Sequence, residues 1–238
     1  MPTPADDQVS SASTGTAVDR VAGLVRAEIL SGVRGPDTPL REEAAAEQFG
    51  VSRHTVRAAF QRLVAERLAV AEAYRGVRVA SFDRAHVIAL QQLRAALEVE
   101  AVRILGERHG EVWPEGALAP AGGVLAELDR VAELAAEARD DGEEGAGADE
   151  HVDWLEVERL HADFHHAIVV ASASPRIIEA HAALGSELLL FLLHVRPHYT
   201  LESLIDEHRA LLEQLPARGP AALREHLEHS TRLLLGGR

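Results

Sequence analysis

The 238-residue sequence has no cysteine, no lysine, one methionine and few aromatic residues, with Phe, Trp and Tyr together making up 4%. Without cysteine there is no disulfide and no thiolate metal site, so any metal must be taken by histidine and carboxylate. Without lysine, all 24 basic side chains are arginine, and a guanidinium does not titrate in the physiological range. Long apolar runs are missing too. No stretch of about 18 apolar residues predicts a membrane helix, and the opening segment MPTPADDQVSSASTGTA is polar and acidic where a signal peptide would be basic and then apolar. The expected location is the cytoplasm, with no membrane partner.

Acid and histidine are abundant instead. The net charge is −14, and there are 13 histidines. Spread evenly, that charge would argue against nucleic acid, but it is not spread evenly. Residues 1–18 carry −2, residues 19–80 carry +2 from ten arginines against eight acids, and residues 81–238 carry −14. Phosphate contact is therefore expected only within 19–80. The histidines call for a reason of their own, because imidazole is the commonest metal ligand and titrates near neutral pH.

Residues 1–17 lack hydrophobic periodicity and are expected to be a disordered tail. Val18, Val21, Leu24, Val25, Ile29 and Leu30 recur at helical spacing. A short helix is predicted over 42–49, closed by Gly50, and another over 53–66, capped by Ser52 and apolar along Val56, Ala59, Phe60, Leu63 and Val64. Two short strands around Tyr74-Arg75-Gly76 complete a winged helix-turn-helix over 18–80. From 83 to 238 the pattern is helical, with segments near 83–109, 121–139, 151–171, 175–194, 201–215 and 220–235. The acidic run DDGEEGAGADE reads as a solvated connection. The fold expected is mainly α: the winged helix-turn-helix, then an antiparallel all-α helical bundle whose centre would hold ligand.

The segment PLREEAAAEQFGVSRHTVRAAFQRLVAERLAV, followed by YRGVRV, resembles the DNA-binding domain of the GntR family of transcriptional regulators. Leu40, Glu42, Phe49, Gly50, Val51, Ser52, Arg53, Val56, Arg57, Ala58, Phe60 and Leu63 fall in register with the family pattern. The resemblance implies a homodimeric regulator, most simply a repressor, on a palindromic double-stranded operator. Arg53 and Arg57, four apart on the recognition helix, would contact bases or phosphates. Ser52, His54 and Thr55 lie beside them, while Arg41 and the Arg75-Gly76 wing tip would reach the backbone or minor groove. Two departures stand out: Glu43, where many members carry Arg, and Ala45, where many bury Leu.

Residues 83–238 resemble the FCD-type effector domain of the FadR subfamily through LRAALE, FHHAIVVAS, DEHRALLEQL and LREHL. The resemblance implies a metal site at His161, His165, His208 and His226, with His161 in place of the usual Asp and His229 an alternative last ligand. His161 and His165, four apart, share one helical face. A set of neutral imidazoles suits a divalent transition metal, Zn or Ni, rather than Mg or Ca. Arg94 of LRAALE would pair with a small carboxylate effector. Ser174, where Asn is usual, would alter the cavity lining. Direct sensing of an acyl or carboxylate ligand without metal stays open. A metallohydrolase built on the same histidines lacks the glutamate of H-E-x-x-H, so no enzymatic activity is expected.

Overall fold

The computed structural model describes residues 16–110, 112–140, 152–195 and 200–236. Residues 1–15 of the expected tail and all of the acidic run but Asp140 lie outside them, as do His151 and His198, while Thr16 and Ala17, expected in the tail, start the first helix. The chain divides into two compact units, one of residues up to Ala65 with Ala69–Val79, the other of Glu66–Leu68 and Ala80 onward.

The first unit opens with α1 (Ala17–Leu30), started by a Thr16–Asp19 capping box. Then come β1 (Pro39–Leu40), α2 (Glu42–Phe49), α3 (Arg53–Ala65), β2 (Ala69–Glu72) and β3 (Gly76–Val79). Gly50 takes the left-handed conformation at φ 63° and ends α2, a backbone state that costs a side chain but not glycine. As expected, Ser52 caps α3, its Oγ accepting from the Thr55 amide at 3.1 Å. Val21, Ala22 and Val25 of α1 are buried, as are Val56, Ala59, Phe60 and Leu63 of α3, and the two helices pack together. The sheet has three strands in the order β1-β3-β2, all pairs antiparallel. The sequence predicted two. β1 is only two residues long, too short to show alternation, and its Pro39 lies on an edge strand, where a missing amide proton costs no ladder bond.

The second unit is all helical: α4 (Arg84–His109), α5 (Ala119–Asp140), α6 (Trp154–Ala171), α7 (Pro175–Ala182), α8 (Gly185–Val195), α9 (Leu201–Arg218) and α10 (Pro220–Leu234). The helix predicted over 175–194 is two helices, interrupted at Ala183–Leu184 before the weak helix former Gly185. α9 continues past its expected end because Pro216 falls in the final turn, where little of the helical ladder remains to be lost. α6 packs against α4, α5, α7 and α8. Its Val157, Leu160, Phe164 and Ile168 join Val102 of α4, Leu128 of α5, Leu204 and Leu215 of α9, and Leu223 of α10 in the main core.

The buried stripe of α4 is unusual. Val87 and Leu90 begin it and Ala101, Val102 and Leu105 end it, but its middle turns bury Gln91, Arg94 and Glu98. Leu93, one position from Arg94, is 40% exposed. Packing has placed the polar side chains inward and a leucine outward, so those polar groups must find partners in the interior.

Candidate functional site

Those partners are histidines. Apolar spacing on α6 carries His161 and His165 inward with Phe164, and on α9 it carries His208 inward between Ile205 and Leu211. His161, His165 and His208 are all buried, and each offers a ring nitrogen to a group spanning no more than 4.8 Å. The His226 ring on α10 lies 4.7 Å from that of His208 and 5.3 Å from that of His165, between centroids. Its Nε2 is buried without a hydrogen-bond partner. His229 is 3.6 Å from Glu207 instead.

Hydrogen bonding fixes the tautomers. Glu98 is fully buried, which alone would raise its carboxyl; the charges of Arg94 and His165 and the hydrogen bonds from His165 and His181 outweigh burial and hold it well below the usual range. It is therefore an anion that can only accept. His165 Nδ1 donates to Glu98 Oε2 at 2.8 Å, and His208 Nδ1 donates to the Leu204 carbonyl at 2.6 Å. Each ring then presents an unprotonated Nε2, and these two atoms are 3.2 Å apart. His161 Nδ1 lies 3.6 Å from the buried Glu158 carboxylate. Burial, followed by neighbouring positive charge, keeps His161, His208 and His226 well below their ordinary pKa, and burial lowers His165 as well, although the Glu98 charge beside it pulls the other way. The group is a set of neutral imidazoles with lone pairs turned toward one another.

Glu98 does more than orient His165. Its Oε1 accepts from Arg94 Nε at 2.9 Å and from His181 Nε2 at 3.2 Å. His181 is the only buried residue of α7, and its Nδ1 lies 3.2 Å from that of His166. Arg94 Nη1 donates to Gln91 Oε1 at 3.1 Å, while Arg94 Nη2 and Gln91 Nε2 are buried without acceptors. Arg94 is thus already engaged, with one nitrogen left over. No ligand or effector contact was expected at Glu98, Gln91, Glu158 or His181. The one signal for Glu98 was its i,i+4 spacing from Arg94, which does not by itself tell a buried pair from a surface one.

In the first unit, Arg41, Arg53, Arg75 and Gly76 line one hollow of about 820 Å³, joined by Arg78. Glu42 and Glu43 line it too. Arg57 Nε and Nη2 both donate to Glu42 at 2.8 Å, and Arg53 is 3.9 Å from Glu43. Ser52 and Thr55 bond each other at 2.9 Å, His54 is exposed, and Arg75 pairs with Glu72 at 2.9 Å.

A winged helix-turn-helix in one chain with a helical bundle enclosing a polar centre is the build of a ligand-responsive, DNA-binding transcriptional regulator. The chain belongs to the GntR family of bacterial regulatory proteins, with an FCD effector domain: the gntR family model matches residues 17–79 and the FCD domain model residues 89–232. This is a family of non-catalytic DNA-binding proteins. The chain is 26% identical over 214 residues to the "Probable D-xylose utilization operon transcriptional repressor" of Paenarthrobacter nicotinovorans, covering 90% of this chain and 85% of that protein. It is 27% identical over 211 residues to the HTH-type transcriptional repressor GlaR of Escherichia coli K12, covering 84% and 87%. A GntR transcriptional regulator of known structure from Rhodococcus sp. RHA1 matches with a TM-score of 0.65 at 25% identity, covering 93% of this chain and 98% of that one. No helix among the described residues is long and apolar enough to cross a membrane.

Proposed function

We propose that this protein is a cytoplasmic repressor of the FadR subfamily that binds a palindromic operator as a homodimer and senses a small organic acid at a divalent transition-metal centre. DNA binding falls to residues 18–80 and sensing to 83–238. His161, His165, His208 and His226 would hold the ion, Zn or Ni. The observation that carries this reading is the 3.2 Å approach of the two unprotonated Nε2 atoms of His165 and His208. Two lone pairs held face to face in a buried site are repulsive, and a shared cation turns them into ligands. Glu98 orients His165 and supplies an anionic charge that the imidazoles lack.

When bound, the metal would supply a Lewis-acidic position for a carboxylate or hydroxyl oxygen. Arg94 Nη2, a buried donor without an acceptor, would take a further oxygen of the same acid. That donor also supports a second reading, in which the acid binds without metal. At the other end of the chain, Arg41, Ser52, Arg53, His54, Thr55, Arg57, Arg75 and Gly76 would meet the operator, with phosphate contacts giving salt-dependent affinity.

Mobility-shift titration with the DNA upstream of its own gene, at two salt concentrations, tests the regulator reading; absent or salt-independent binding defeats it. Metal analysis of the purified protein, with effector screening before and after chelation, separates the two sensor readings. Undiminished effector affinity in metal-free protein supports the second.

A further inference from the structure

We infer that the groove between α4 and α10 is a binding site for a small organic anion, separate from the histidine cluster. The groove has a volume of about 450 Å³ and is lined by Ile88, Gln91 and Ala95 from α4 and Arg224, Leu227 and Arg232 from α10. That size suits a small metabolite.

The arginines give the first argument. This part of the chain is strongly acidic, and from residue 80 onward the arginines with described side chains bond to a carboxylate or a carbonyl in nine cases: Arg84, Arg94, Arg103, Arg108, Arg130, Arg159, Arg176, Arg209 and Arg218. Among the described residues Arg224 and Arg232 have no such partner, and both line this one groove. Glu228, which lines the groove as well and leaves it a net positive charge of one, lies four residues from each, at the spacing where helical ion pairs form, and pairs with neither. Two guanidiniums left over in an acidic domain, facing one concavity, offer charge complementarity to an anion.

Gln91 gives the second argument. It is 4% exposed, and its Nε2 has no partner. Its amide cannot simply turn over to find one. Oε1 accepts from Arg94 Nη1 at 3.1 Å, and the flipped amide would set donor against donor. Gln91, which lines the groove, therefore keeps a buried N–H without an acceptor, a cost that an acceptor oxygen reaching it would remove. The apolar lining of Ile88, Ala95 and Leu227 suits a short hydrocarbon body, so the ligand class is a carboxylate or phosphate on a compact apolar frame. Through Arg94 and Glu98, Gln91 is also three hydrogen bonds from His165.

The test is isothermal titration of the purified full-length chain with hexanoate and with inorganic phosphate, and with hexanamide as the uncharged analogue of the first. Saturable binding of hexanoate assigns the carboxylate, and of phosphate the phosphate. Affinity should fall about tenfold or more in the Arg224→Gln/Arg232→Gln variant and for hexanamide, the loss of one charge-assisted contact, and should be the same in chelator-treated protein. The inference is overturned if neither anion binds up to about 10 mM, if hexanamide binds as well as hexanoate, if the double variant binds as the wild type does, or if chelation abolishes binding. It is also overturned if the double variant sediments as a smaller assembly than the wild type, which would make the groove an interface between copies.

Discussion

His165 and His208 face each other across 3.2 Å through ring nitrogens that neither can protonate for the other, because each has its one proton committed on the far side of the ring, to Glu98 and to the Leu204 carbonyl. The expected consequence is retention of about one divalent ion per chain through purification. Elemental analysis should show it, and His208→Ala should lose it. A wild-type protein that neither retains nor takes up Zn or Ni would remove the metal from the proposed function.

Glu98→Gln should weaken metal affinity by about 10–100-fold, the usual effect of removing a carboxylate behind a metal-binding histidine. Competition with a chromophoric chelator would measure it. The variant leaves Arg94 as a buried charge without its anion, so a fall in thermal stability should accompany the loss. Glu98→Asp, which keeps the charge, should recover part of both.

The metal-free protein should become less stable as pH falls below about 6.5. The imidazoles of His161, His208 and His226 have folded pKa values depressed below the ordinary 6.5 by burial first and by neighbouring positive charge second, and burial lowers that of His165 too, against the opposing charge of Glu98. Above that pH both folded and unfolded chains hold them neutral and nothing is lost. Below it the unfolded chain takes up protons that the folded one refuses, which favours unfolding by up to about 1.4 kcal/mol per pH unit for each imidazole. Denaturant melts between pH 7.5 and 5.5 would show the slope. His161→Leu, which removes one such group, should flatten it.

Arg57→Ala should lower operator affinity by about 1–3 kcal/mol if Arg57 reads a base. Its Nε and one Nη are held by Glu42, so the outer edge of the guanidinium is what remains for DNA. Glu42→Gln should then reduce discrimination between operator and unrelated DNA while leaving nonspecific affinity equal or higher, since a negative charge has been removed. Parallel titrations on both DNAs would show it. Equal loss on both would deny Glu42 any part in holding Arg57.

The winged helix-turn-helix was legible because its determinants are local. Gly50 needs a left-handed turn, Ser52 caps the helix that follows, and the apolar positions of α3 repeat at one period. The histidines of α6 and α9 were legible through the resemblance to FCD-type effector domains, and the structure adds that they share buried stripes with Phe164 and Leu211. β1 was not, because two residues carry no period. Glu98 and Gln91 were hidden by a sound expectation, that charged and amide side chains on a long helix face water while leucines turn inward. On α4, Arg94 and Glu98 reverse it with Leu93, and only the interior partners explain why. The engagement of Arg94 with Glu98 also had to wait for the structure, since residues four apart can pair on any helix surface.

α7 is eight residues long, and its one buried side chain is His181, bonded to the same carboxylate that orients His165. A short helix seated this way is fastened by a polar latch where most helices are glued by hydrocarbon. Its amide protons should exchange by local opening well before those of α6. Any event that redirects Glu98 would loosen or tighten that latch, so the exchange rate of α7 offers an outward gauge of what occupies the centre of the bundle.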